Sequence, residues 1–480
     1  MKLEKLIEGV EVLALHADLN AEISGICYDS RKAGEGNVFV AVKGYESDGH
    51  RFIPAAAAGG CTCVVCEDAP ETDIPYVLTA DSRKALALMS RNWFGDPCSR
   101  LKVIGVTGTN GKTTTTHLIK SVLEELTGEK VGLMGTNHNM IADRILPAER
   151  TTPESYEIQA LLAQMADAGC AWAVMEVSSH ALYLDRVYGM TFEVGVFTNL
   201  TRDHLDFHKT MEEYAAAKAM LFKICRHAVL NADDEWFETM KNAATCPVFT
   251  FSAEKNEADL VAKNVRLMSD CVDFCMLAIG DLQRVRLAIP GMFSVYNAMS
   301  AAAACMQVGL KLGDVCEALG RCRGVMGRAE VVPTGRDFTL LIDYAHTPDA
   351  LENIITTVKG VASGRVVTLF GCGGDRDKTK RPIMGQIAAK LSDFVIVTSD
   401  NPRTEVPGDI IRDILAGMEG TETPYTVIEN RREAIGWAIE NAQPGDVVIL
   451  AGKGHETYQI IGKEKYHFDE REVAAEFLRS

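Results

Sequence analysis

The strongest constraint on the fold is a glycine-rich stretch at residues 105–116, which reads Gly-Val-Thr-Gly-Thr-Asn-Gly-Lys-Thr-Thr-Thr-Thr. The apolar run 101–106 leads into it, and a helical pattern at 117–126 follows it. A strand, a glycine loop and a helix in this order form a phosphate-binding cradle, because glycines let backbone N–H groups turn inward onto phosphate oxygens. The sequence therefore predicts an α/β domain that binds a nucleotide.

Two side chains of this loop supply what such a cradle needs. Lys112 adds a positive charge beside the phosphates, and the hydroxyl of Thr113 can bind Mg²⁺. The usual signature has a glycine five residues before Gly111, where this chain has Val106, but the shorter run 108–113 is intact. We interpret the loop as a variant phosphate loop that uses ATP. A chance glycine turn is the alternative, which the flanking strand and helix disfavour.

Composition narrows the class of protein. The chain has 480 residues, of which 47% are hydrophobic and 24% are charged, as is typical of globular domains, and its length suggests about three of them. A formal net charge of −17 disfavours a nucleic-acid partner. No apolar run reaches the ~18 residues of a membrane span, and the opening Met-Lys-Leu-Glu-Lys lacks the core of a signal peptide. We expect a cytoplasmic monomer.

The cysteines are expected to be reduced thiols. There are 14 of them without a secretion signal, a combination that indicates the cytosol. Cys61, Cys63 and Cys66 form a Cys-x-Cys-x-x-Cys cluster, but no second cysteine or histidine pair completes it at zinc-site spacing. Because two valines lie inside the cluster, it predicts a buried apolar strand rather than a metal site.

Periodicity divides the chain into three parts. Residues 1–98 contain short β-like runs and alanine-rich helical stretches, and they end in a Gly-Asp-Pro-Cys linker. Residues 99–329 alternate strands and helices, which predicts a mostly parallel, doubly wound sheet, with a β-hairpin at 273–289. In residues 330–480, each predicted strand leads into a polar or glycine-rich loop, so we expect a second cleft beyond their carboxyl ends. These strands are 340–343, 366–370, 394–398 and 447–450.

Several polar side chains of the central part predict metal or phosphate contacts. Glu176 ends an apolar strand, where a carboxylate beside a phosphate loop can hold the Mg²⁺ of a nucleotide. His204 and His208 could share one helix face, and they suit a second Mg²⁺ or a phosphate better than zinc, which would need a third ligand. Lys218 lies in a predicted buried helix at 214–222, where a lysine must be paired, neutral or modified. A solvated lysine is the alternative.

The loops of the last part offer both signs of charge. Arg376 and Arg403 can each grip a carboxylate with a guanidinium fork. Asp400 and Glu456 can each pair with an ammonium group. A cleft with both kinds of group suits an amino acid. A salt-bridge network between domains is the alternative.

Together these motifs resemble those of the Mur ligases, the ATP-dependent amide ligases that build the peptidoglycan stem peptide. The resemblance runs from 28–31 to 452–456, which is nearly the whole chain. Thr-Thr-Pro at 151–153 and Asp-Asn-Pro-Arg at 400–403 resemble the members that add the third residue of the stem peptide. The second motif is typical of members that add meso-diaminopimelate, whereas members that add L-lysine differ at the arginine. The other matching positions are 107–116, 176–180, 199–208, Lys218, Asn297, Arg328 and 343–349.

The resemblance implies a UDP-binding domain at 1–98, an ATP-binding domain at 99–329 and a Rossmann-like amino-acid-binding domain at 330–480. It implies that UDP-N-acetylmuramoyl-L-alanyl-D-glutamate and meso-diaminopimelate are the substrates. The implied ATP contacts are Gly108, Thr109, Asn110, Gly111, Lys112, Thr113, Thr114, Asn297 and Arg328. The implied muramoyl-dipeptide contacts are Ser30, Tyr45, Glu46, Ser47, Thr151, Thr152, Ser178 and Arg186. The implied diaminopimelate contacts are Arg376, Asp400, Asn401, Pro402, Arg403, Gly452 and Glu456.

The resemblance also implies a mechanism. A substrate carboxylate attacks the γ-phosphate of ATP, and Mg²⁺ together with Lys112 offsets the repulsion between the two anions. An amine of the amino acid then attacks the acyl phosphate, around which the domains are expected to close. Lys218 matches a family lysine that carries a carbamate, so the implied catalytic residues are Lys112, Lys218 and His204. The implied Mg²⁺ ligands are Thr113, Glu176, His204 and the carbamate of Lys218.

One position departs from the family pattern, and three other functions stay open. Leu184 stands where relatives often have a glutamine that touches the UDP-sugar substrate, so that contact is not carried over. The ligase could instead add L-lysine or another diamino acid. A folylpolyglutamate synthetase shares the phosphate loop, although the runs 29–31 and 400–403 argue against it. An ATP-driven switch or motor would leave the loops of the last part without a role.

Overall fold

A computed structural model describes residues 1–44 and 47–479 of the chain. The Cα atoms group into two compact units. The first unit comprises residues 1–251, 257–259 and 300–310, and the second comprises 252–256, 260–299 and the chain from 311 onward. Each unit is described on its own below.

The first unit begins with a five-stranded sheet in the order β1-β5-β4-β3-β2, in which only β1 is antiparallel to its neighbour. Its elements are α1 (Leu3–Leu6), β1 (Val12–His16), β2 (Gly25–Cys27), β3 (Asn37–Val40), α2 (Ile53–Ala58), β4 (Cys63–Cys66), β5 (Tyr76–Thr79) and α3 (Ser82–Trp93). Helix α3 starts where the Asp81 side chain accepts hydrogen bonds from two backbone N–H groups of the first turn. Strand β4 is buried along its whole length, which confirms the apolar strand predicted from the cysteine cluster.

The rest of the first unit is a doubly wound sheet in the order β13-β12-β11-β6-β10-β7-β8-β9. Strands β6, β7 and β10 to β12 run parallel to their neighbours, and β8 and β9 add an antiparallel edge. Its strands are β6 (Lys102–Thr107), β7 (Lys130–Met134), β8 (Asn139–Ile141), β9 (Arg144–Leu146), β10 (Cys170–Glu176), β11 (Phe192–Phe197), β12 (Cys225–Asn231) and β13 (Val248–Ser252). Its helices are α4 (Lys112–Thr127), α5 (Ser155–Asp167), α6 (Ser179–Tyr183), α7 (Leu205–His208), α8 (Met211–Ala219) and α9 (Phe237–Ala243).

This sheet sets the place of the candidate site. Its central strands are buried on both faces, as continuous apolar runs in parallel sheets are. Because β6, β7, β10 and β11 are parallel, their carboxyl ends meet at one edge, from which the phosphate loop and Glu176 emerge. The predicted helix at 214–222 is shorter than expected, since α8 ends at Ala219 and a 3₁₀ turn, Met220–Lys223, continues it.

The second unit contains three neighbouring antiparallel strands, among which the predicted hairpin at 273–289 is confirmed and a strand that was not predicted precedes it. It also contains a six-stranded sheet in the order β17-β18-β22-β19-β20-β21, parallel except for β17. The strands are β14 (Leu260–Leu267), β15 (Val272–Ala278), β16 (Asp281–Leu287), β17 (Glu330–Val332), β18 (Thr339–Asp343), β19 (Val366–Phe370), β20 (Phe394–Val397), β21 (Tyr425–Val427), β22 (Val447–Ala451), β23 (Tyr458–Ile461) and β24 (Glu464–His467). The helices are α10 (Met292–Gln307, which continues into the first unit), α11 (Leu312–Arg321), α12 (Pro348–Lys359), α13 (Lys380–Leu391), α14 (Pro407–Ala416), α15 (Arg431–Glu440) and α16 (Glu470–Arg479).

The six-stranded sheet confirms the strands predicted for the last part of the chain. Strands β19 and β22 are buried along their whole length, so both faces of the sheet are covered. Helices α15 and α16 pack on one face through a core that includes Ile435 and Val473. The loops after β18, β19, β20 and β22 leave the sheet at their carboxyl ends, which is where the second cleft was expected.

Candidate active site

The phosphate loop joins buried β6 to the first turn of α4. Gly108 has a φ of 152°, and a Cβ built on it would lie 1.9 Å from the Thr198 hydroxyl oxygen, so only glycine fits there. Gly111, with a φ of 84°, precedes Lys112, the first residue of the helix. The loop therefore leads directly into the N-terminus of a helix, which is the end that binds phosphate.

Hydrogen bonds to the loop after β11, and from Lys112 within the phosphate loop, hold this loop in place. The backbone N–H of Thr109 donates to the Asn199 carbonyl at 2.8 Å, and the N–H of Asn110 donates to the Asn199 side-chain oxygen at 2.9 Å. The Nζ of Lys112 donates to the carbonyls of Gly108 and Thr109, both at 2.9 Å. Thr113 and Thr114 are buried in the first turn of α4. The predicted run 108–114 is thus brought together with the predicted loop after β11.

Glu176 lies beside the phosphate loop, next to Thr113, where Mg²⁺ is expected. It is the last residue of β10 and is 1% exposed. Its Oε1 accepts a hydrogen bond from the Thr113 hydroxyl at 2.9 Å and from the Thr136 N–H at 2.8 Å, and its Oε2 accepts one from the Thr136 hydroxyl at 3.0 Å. Because hydroxyl and carboxylate oxygens are the ligands that Mg²⁺ prefers, the predicted pair Thr113 and Glu176 fits the ion. Thr136 was not predicted, although its position directly after β7 is a signal that could have found it.

Lys218 is buried against the same loop, so the solvated alternative is wrong. It is 1% exposed, its Nζ donates to the Gly108 carbonyl at 2.8 Å, and the nitrogen lies 4.5 Å from the centre of the Tyr214 ring. Burial, with the charge of Lys112 as a lesser cause, lowers the pKa of the Lys218 amine well below its ordinary value. A neutral amine can react with CO₂, so the site fits a carbamate.

The two predicted histidines lie at the two ends of α7 and belong to one aromatic cluster. His204, with a φ of 53°, directly precedes α7, His208 is the last residue of that helix, and the His208 N–H donates to the His204 carbonyl at 3.0 Å. Both rings pack against His180, with ring centres 4.9 and 5.4 Å away. Burial lowers the pKa of His180 and His208 to about 4 and also lowers that of His204. Among the described residues, no group of three or more His, Cys, Asp or Glu side chains could hold a metal by itself.

The residues implied for the muramoyl-dipeptide lie partly beside this edge of the sheet. The Thr151 hydroxyl lies 3.1 Å from that of Thr136. The Thr152 hydroxyl donates to the Glu176 carbonyl at 2.9 Å and accepts from the Ser178 N–H at 3.0 Å. Arg186 donates to the Thr152 carbonyl at 2.9 Å. Thr151 is therefore linked to the Glu176 carboxylate through Thr136, whereas Thr152, Ser178 and Arg186 are linked to the Glu176 backbone carbonyl.

Two of the remaining implied contacts of the first unit, Ser30 and Ser47, lie in connections outside its strands. Ser30 begins a 3₁₀ turn, Ser30–Lys32, and Ser47 is exposed. Tyr45 and Glu46 lie outside the described residues. Leu184, the position that departs from the family, follows the end of α6 and is partly buried.

Two implied ATP contacts belong to the second unit. Asn297 is 4% exposed in α10. The Arg328 guanidinium lies 5.1 Å from the centre of the Tyr344 ring, and its charge partly offsets the burial that raises the pKa of Asp343. Their role toward ATP stays a prediction.

The loops of the amino-acid cleft bring the predicted arginines to the same sheet edge. Arg403 has a φ of 50°, and its Nη1 donates to the Gly374 carbonyl at 2.8 Å. Arg376 is exposed, and its Nη1 donates to the Asp375 carbonyl at 3.1 Å. Pro402 and Gly452 are buried beside Asp400, and a Cβ on Gly452 would lie 2.8 Å from Oδ2 of Asp400.

Lys453, which was not predicted, contacts the acidic side chains of this cleft. It is 0% exposed, and its Nζ lies 3.1 Å from Oε2 of Glu456, 3.3 Å from Oδ1 of Asn401 and 3.9 Å from Oδ1 of Asp400. The Asn401 amide also donates to Glu456 at 2.9 Å. The two carboxylates thus share one buried cation, so these three side chains together carry one net negative charge. Its position between two glycines after β22 was the signal that sequence reasoning missed.

A buried ion pair beneath the cleft was also missed. Arg431 and Glu470 are 1% and 0% exposed, and their side chains lie 2.7 Å apart. Arg431 also donates to the carbonyls of Ser399 and Ala451, which end the strands that carry the acidic loops. The pair therefore fixes the spacing of those loops.

Comparisons with known proteins identify the family of the chain. The Mur ligase family catalytic domain matches residues 22–95, the Mur ligase middle domain matches 106–305, and the Mur ligase glutamate ligase domain matches 327–454. The chain is 47% identical to a UDP-N-acetylmuramoyl-L-alanyl-D-glutamate–2,6-diaminopimelate ligase 1 of Clostridium acetobutylicum, over 100% of this chain and 99% of the relative. It is also 47% identical to the ligase of the same name, without the numeral, from Caldanaerobacter subterraneus, with the same coverage.

Solved structures give the same answer for the fold. A UDP-N-acetylmuramoyl-L-alanyl-D-glutamate–2,6-diaminopimelate ligase superimposes with a TM-score of 0.75 at 33% identity, over 100% of this chain and 99% of that one. In the part of the chain that the structure describes, every helix is too short or too polar to cross a membrane. The chain therefore belongs to the Mur ligase family, with its three-domain α/β fold, and is an ATP-dependent enzyme that forms amide bonds.

Proposed function

We propose that this Mur ligase joins meso-diaminopimelate to UDP-N-acetylmuramoyl-L-alanyl-D-glutamate in the cytoplasm, as a monomer, during peptidoglycan precursor synthesis. The observation that carries the choice of amino acid is the loop 400–403, which supplies both Arg403, whose guanidinium is held by the Gly374 carbonyl, and Asp400, which shares Lys453 with Glu456. meso-Diaminopimelate has a second carboxylate at its far end, which L-lysine lacks. An arginine can grip that carboxylate while the acidic group receives an ammonium.

The phosphate loop is proposed to activate the muramoyl-dipeptide. The helix N-terminus at Gly111 and the charge of Lys112 bind and polarise the phosphates of ATP. Thr113, Glu176 and His204 are proposed to hold Mg²⁺, which when bound withdraws charge from the phosphate that is transferred. A carboxylate of the dipeptide then takes the γ-phosphate, and ADP leaves.

Lys218 is proposed to act as a carbamate. Its neutral amine attacks CO₂, a C–N bond forms, and one proton leaves to solvent, which turns the side chain into an anion. An anion suits this place because Lys112 and the N-terminus of α4 are both positive. The burial of a lysine with a lowered pKa beside the phosphate loop supports this role.

The second unit is proposed to supply the attacking amine. The carboxylates of Asp400 and Glu456 would fix one ammonium of the amino acid, and Arg376 would assist Arg403 at a carboxylate. The reacting amine must be neutral to attack the acyl phosphate, and phosphate leaves as the amide bond forms. The domain boundaries at 98/99 and 329/330, the ATP contacts of Asn297 and Arg328, and the UDP contacts around Ser30 and Ser47 remain part of this proposal.

A product assay tests the proposal directly. The enzyme is incubated with ATP, Mg²⁺, the UDP-muramoyl-dipeptide and one amino acid at a time, and the products are weighed by mass spectrometry. We expect ADP, phosphate and a product heavier by one diaminopimelate residue. A product formed only with L-lysine would overturn the choice of amino acid, and ATP hydrolysis at the same rate with and without the amino acids would overturn ligation.

A further inference from the structure

A two-stranded hairpin stands beside the amino-acid cleft with little core of its own. Strands β23 and β24 pair only with each other as a sheet, and Ile461 faces Glu464 across a two-residue turn in which Gly462 has a φ of 64°. All four residues of β24 are exposed, and Ile461 is 50% exposed. Because the hairpin buries so little, apolar packing does not account for its position.

The contacts of β23 go to the loop that carries Arg403. The Gln459 side-chain amide donates to the Asp400 carbonyl at 2.6 Å. The N–H of Ile460 donates to Oδ1 of Asn401 at 2.9 Å, and its carbonyl accepts from the Arg403 N–H at 3.1 Å. The Gly462 N–H donates to the Arg403 carbonyl at 2.7 Å. Four hydrogen bonds therefore fasten the loop 400–403 to one strand and its turn.

This fastening matters because Arg403 is in a strained conformation. Its φ of 50° lies in the left-handed region, which costs energy for any residue with a Cβ and persists only where neighbouring contacts hold it. Both backbone polar groups of Arg403 are bonded to the hairpin, and its guanidinium is held separately by the Gly374 carbonyl at 2.8 Å. A loosened hairpin would release the backbone of Arg403 and thereby the aim of its guanidinium.

We propose that strand β23 is the positioning element for acceptor specificity, and that Gln459 is a positioning residue that acts through Arg403. This inference rests on the proposed function, since it takes Arg403 to meet the far carboxylate of meso-diaminopimelate. Gln459 is the informative side chain because its amide is the only one of the four donors that a substitution can remove without altering the backbone.

The test is a double-mutant cycle on the full-length enzyme. Gln459→Leu keeps the size of the side chain but removes the donor, and Gln443→Leu is the control, because Gln443 is exposed and precedes the amino end of β22. We expect Gln459→Leu to lower kcat/KM for meso-diaminopimelate about 3- to 10-fold, mainly through KM, as for the loss of one hydrogen bond. The KM for ATP and kcat/KM for L-lysine should change by less than about twofold, and the effect should vanish in the Arg403→Ala background.

The possible outcomes distinguish a failure of the positioning role of Gln459 from a failure of the proposed function. An equal loss for both amino acids, or a loss that persists in full in the Arg403→Ala background, would overturn the positioning role while the proposed function stands. A wild-type enzyme that does not prefer meso-diaminopimelate to L-lysine would overturn the proposed function, and this inference with it. If Gln459→Leu does not fold, Gln459→Asn serves in its place, because its shortened amide cannot reach the Asp400 carbonyl in the same geometry.

Discussion

The phosphate loop and the amino-acid cleft are built in different ways. The phosphate loop is one contiguous stretch whose polar groups are mostly backbone N–H and carbonyl groups, with a helix N-terminus and Lys112 at its centre. The cleft is assembled from side chains on separate loops, which are joined by Lys453, Arg381 and the Arg431–Glu470 pair. We therefore expect the phosphate loop to lose catalytic activity when its one charged side chain, Lys112, is removed. The cleft should instead lose its selectivity between amino acids when a charged side chain is removed, and its ion pairs should respond to pH.

The largest effect is expected for Lys112→Ala. This change removes the positive charge beside the transferring phosphate, and loss of such an electrostatic contact costs on the order of 10²-fold or more in kcat. Turnover is measured as ADP release with all substrates present. Lys102→Ala, at the opposite end of β6, is the matched control and should leave turnover near the wild-type value. Near-normal turnover of Lys112→Ala would contradict this contrast between the two sites, because the loop would then not be the site of phosphate transfer.

Lys218→Ala should have the second-largest effect. We expect its activity to fall by roughly 10- to 100-fold, as is usual when a group that supports a metal is removed. A short carboxylic acid supplied in solution should restore part of the activity, because it can replace the proposed carbamate. Lys223→Ala, an exposed lysine four residues after α8 ends, is the control. Intact-protein mass spectrometry with ¹³CO₂ should detect a labile adduct on the wild type that Lys218→Ala lacks. An active wild type without any adduct, together with no rescue, would contradict the prediction.

The phosphate loop could be predicted from the sequence because its signals are local. Gly111, Lys112 and Thr113 are consecutive, and Glu176 ends an apolar run whose length gives a strand. In parallel sheets the carboxyl ends of strands meet at one edge, so this residue could be expected near the loop. The burial of Lys218 was suggested by the alanines before it, although only the fold decided between a buried and a solvated lysine.

The cleft could be predicted only in part, because its architecture depends on contacts between distant residues. Arg376 and Arg403 were found as polar residues at strand ends, but Lys453 looks like a solvated loop lysine until the strands around it are packed. The partner of Arg431 lies 39 residues away in α16, and nothing local in the sequence connects the two. The hairpin of β23 and β24 had a turn signal at Gly462, yet its contact with Arg403 follows from tertiary structure alone.

Arg403→Ala should change the selectivity between amino acids rather than turnover. This result would sharpen the contrast between the cleft and the phosphate loop. A largely desolvated contact between a guanidinium and a substrate carboxylate costs about 2–5 kcal/mol to remove, because the carboxylate is left unpaired. We therefore expect at least a tenfold lower kcat/KM for meso-diaminopimelate, and L-lysine should remain a poor substrate or improve slightly. Arg412→Ala, an exposed arginine in α14, is the control. An Arg403→Ala enzyme that still prefers meso-diaminopimelate as strongly as the wild type would refute the assignment.

The smallest expected effect is a pH dependence of stability, which arises from one carboxylate of the cleft. Glu405 accepts hydrogen bonds from both terminal nitrogens of the fully buried Arg381, at 2.9 and 3.0 Å, and from the Asp375 N–H at 2.7 Å. The Arg381 guanidinium, followed by this N–H, lowers the pKa of Glu405 from 4.5 to about 2. Because the folded-state pKa is lowered, Glu405 stabilises the fold fully above pH 4.5, and the stabilisation is lost as pH falls toward 2.

Glu405→Gln should therefore lower Tm at pH 7 and narrow the gap to the wild type at pH 3. The cost at pH 7 should be about 1.5–3 kcal/mol, the usual value for a hydrogen bond to a charged group, because Arg381 loses one of its two charged partners and keeps Asp413. Circular dichroism melts of the full-length protein measure this gap, and Glu419→Gln, an exposed glutamate after α14, should show none at either pH. An equal gap for Glu405→Gln at pH 7 and pH 3 would mean that the ion pairs of the cleft do not depend on this carboxylate, and the contrast between the two sites would then lose its electrostatic basis.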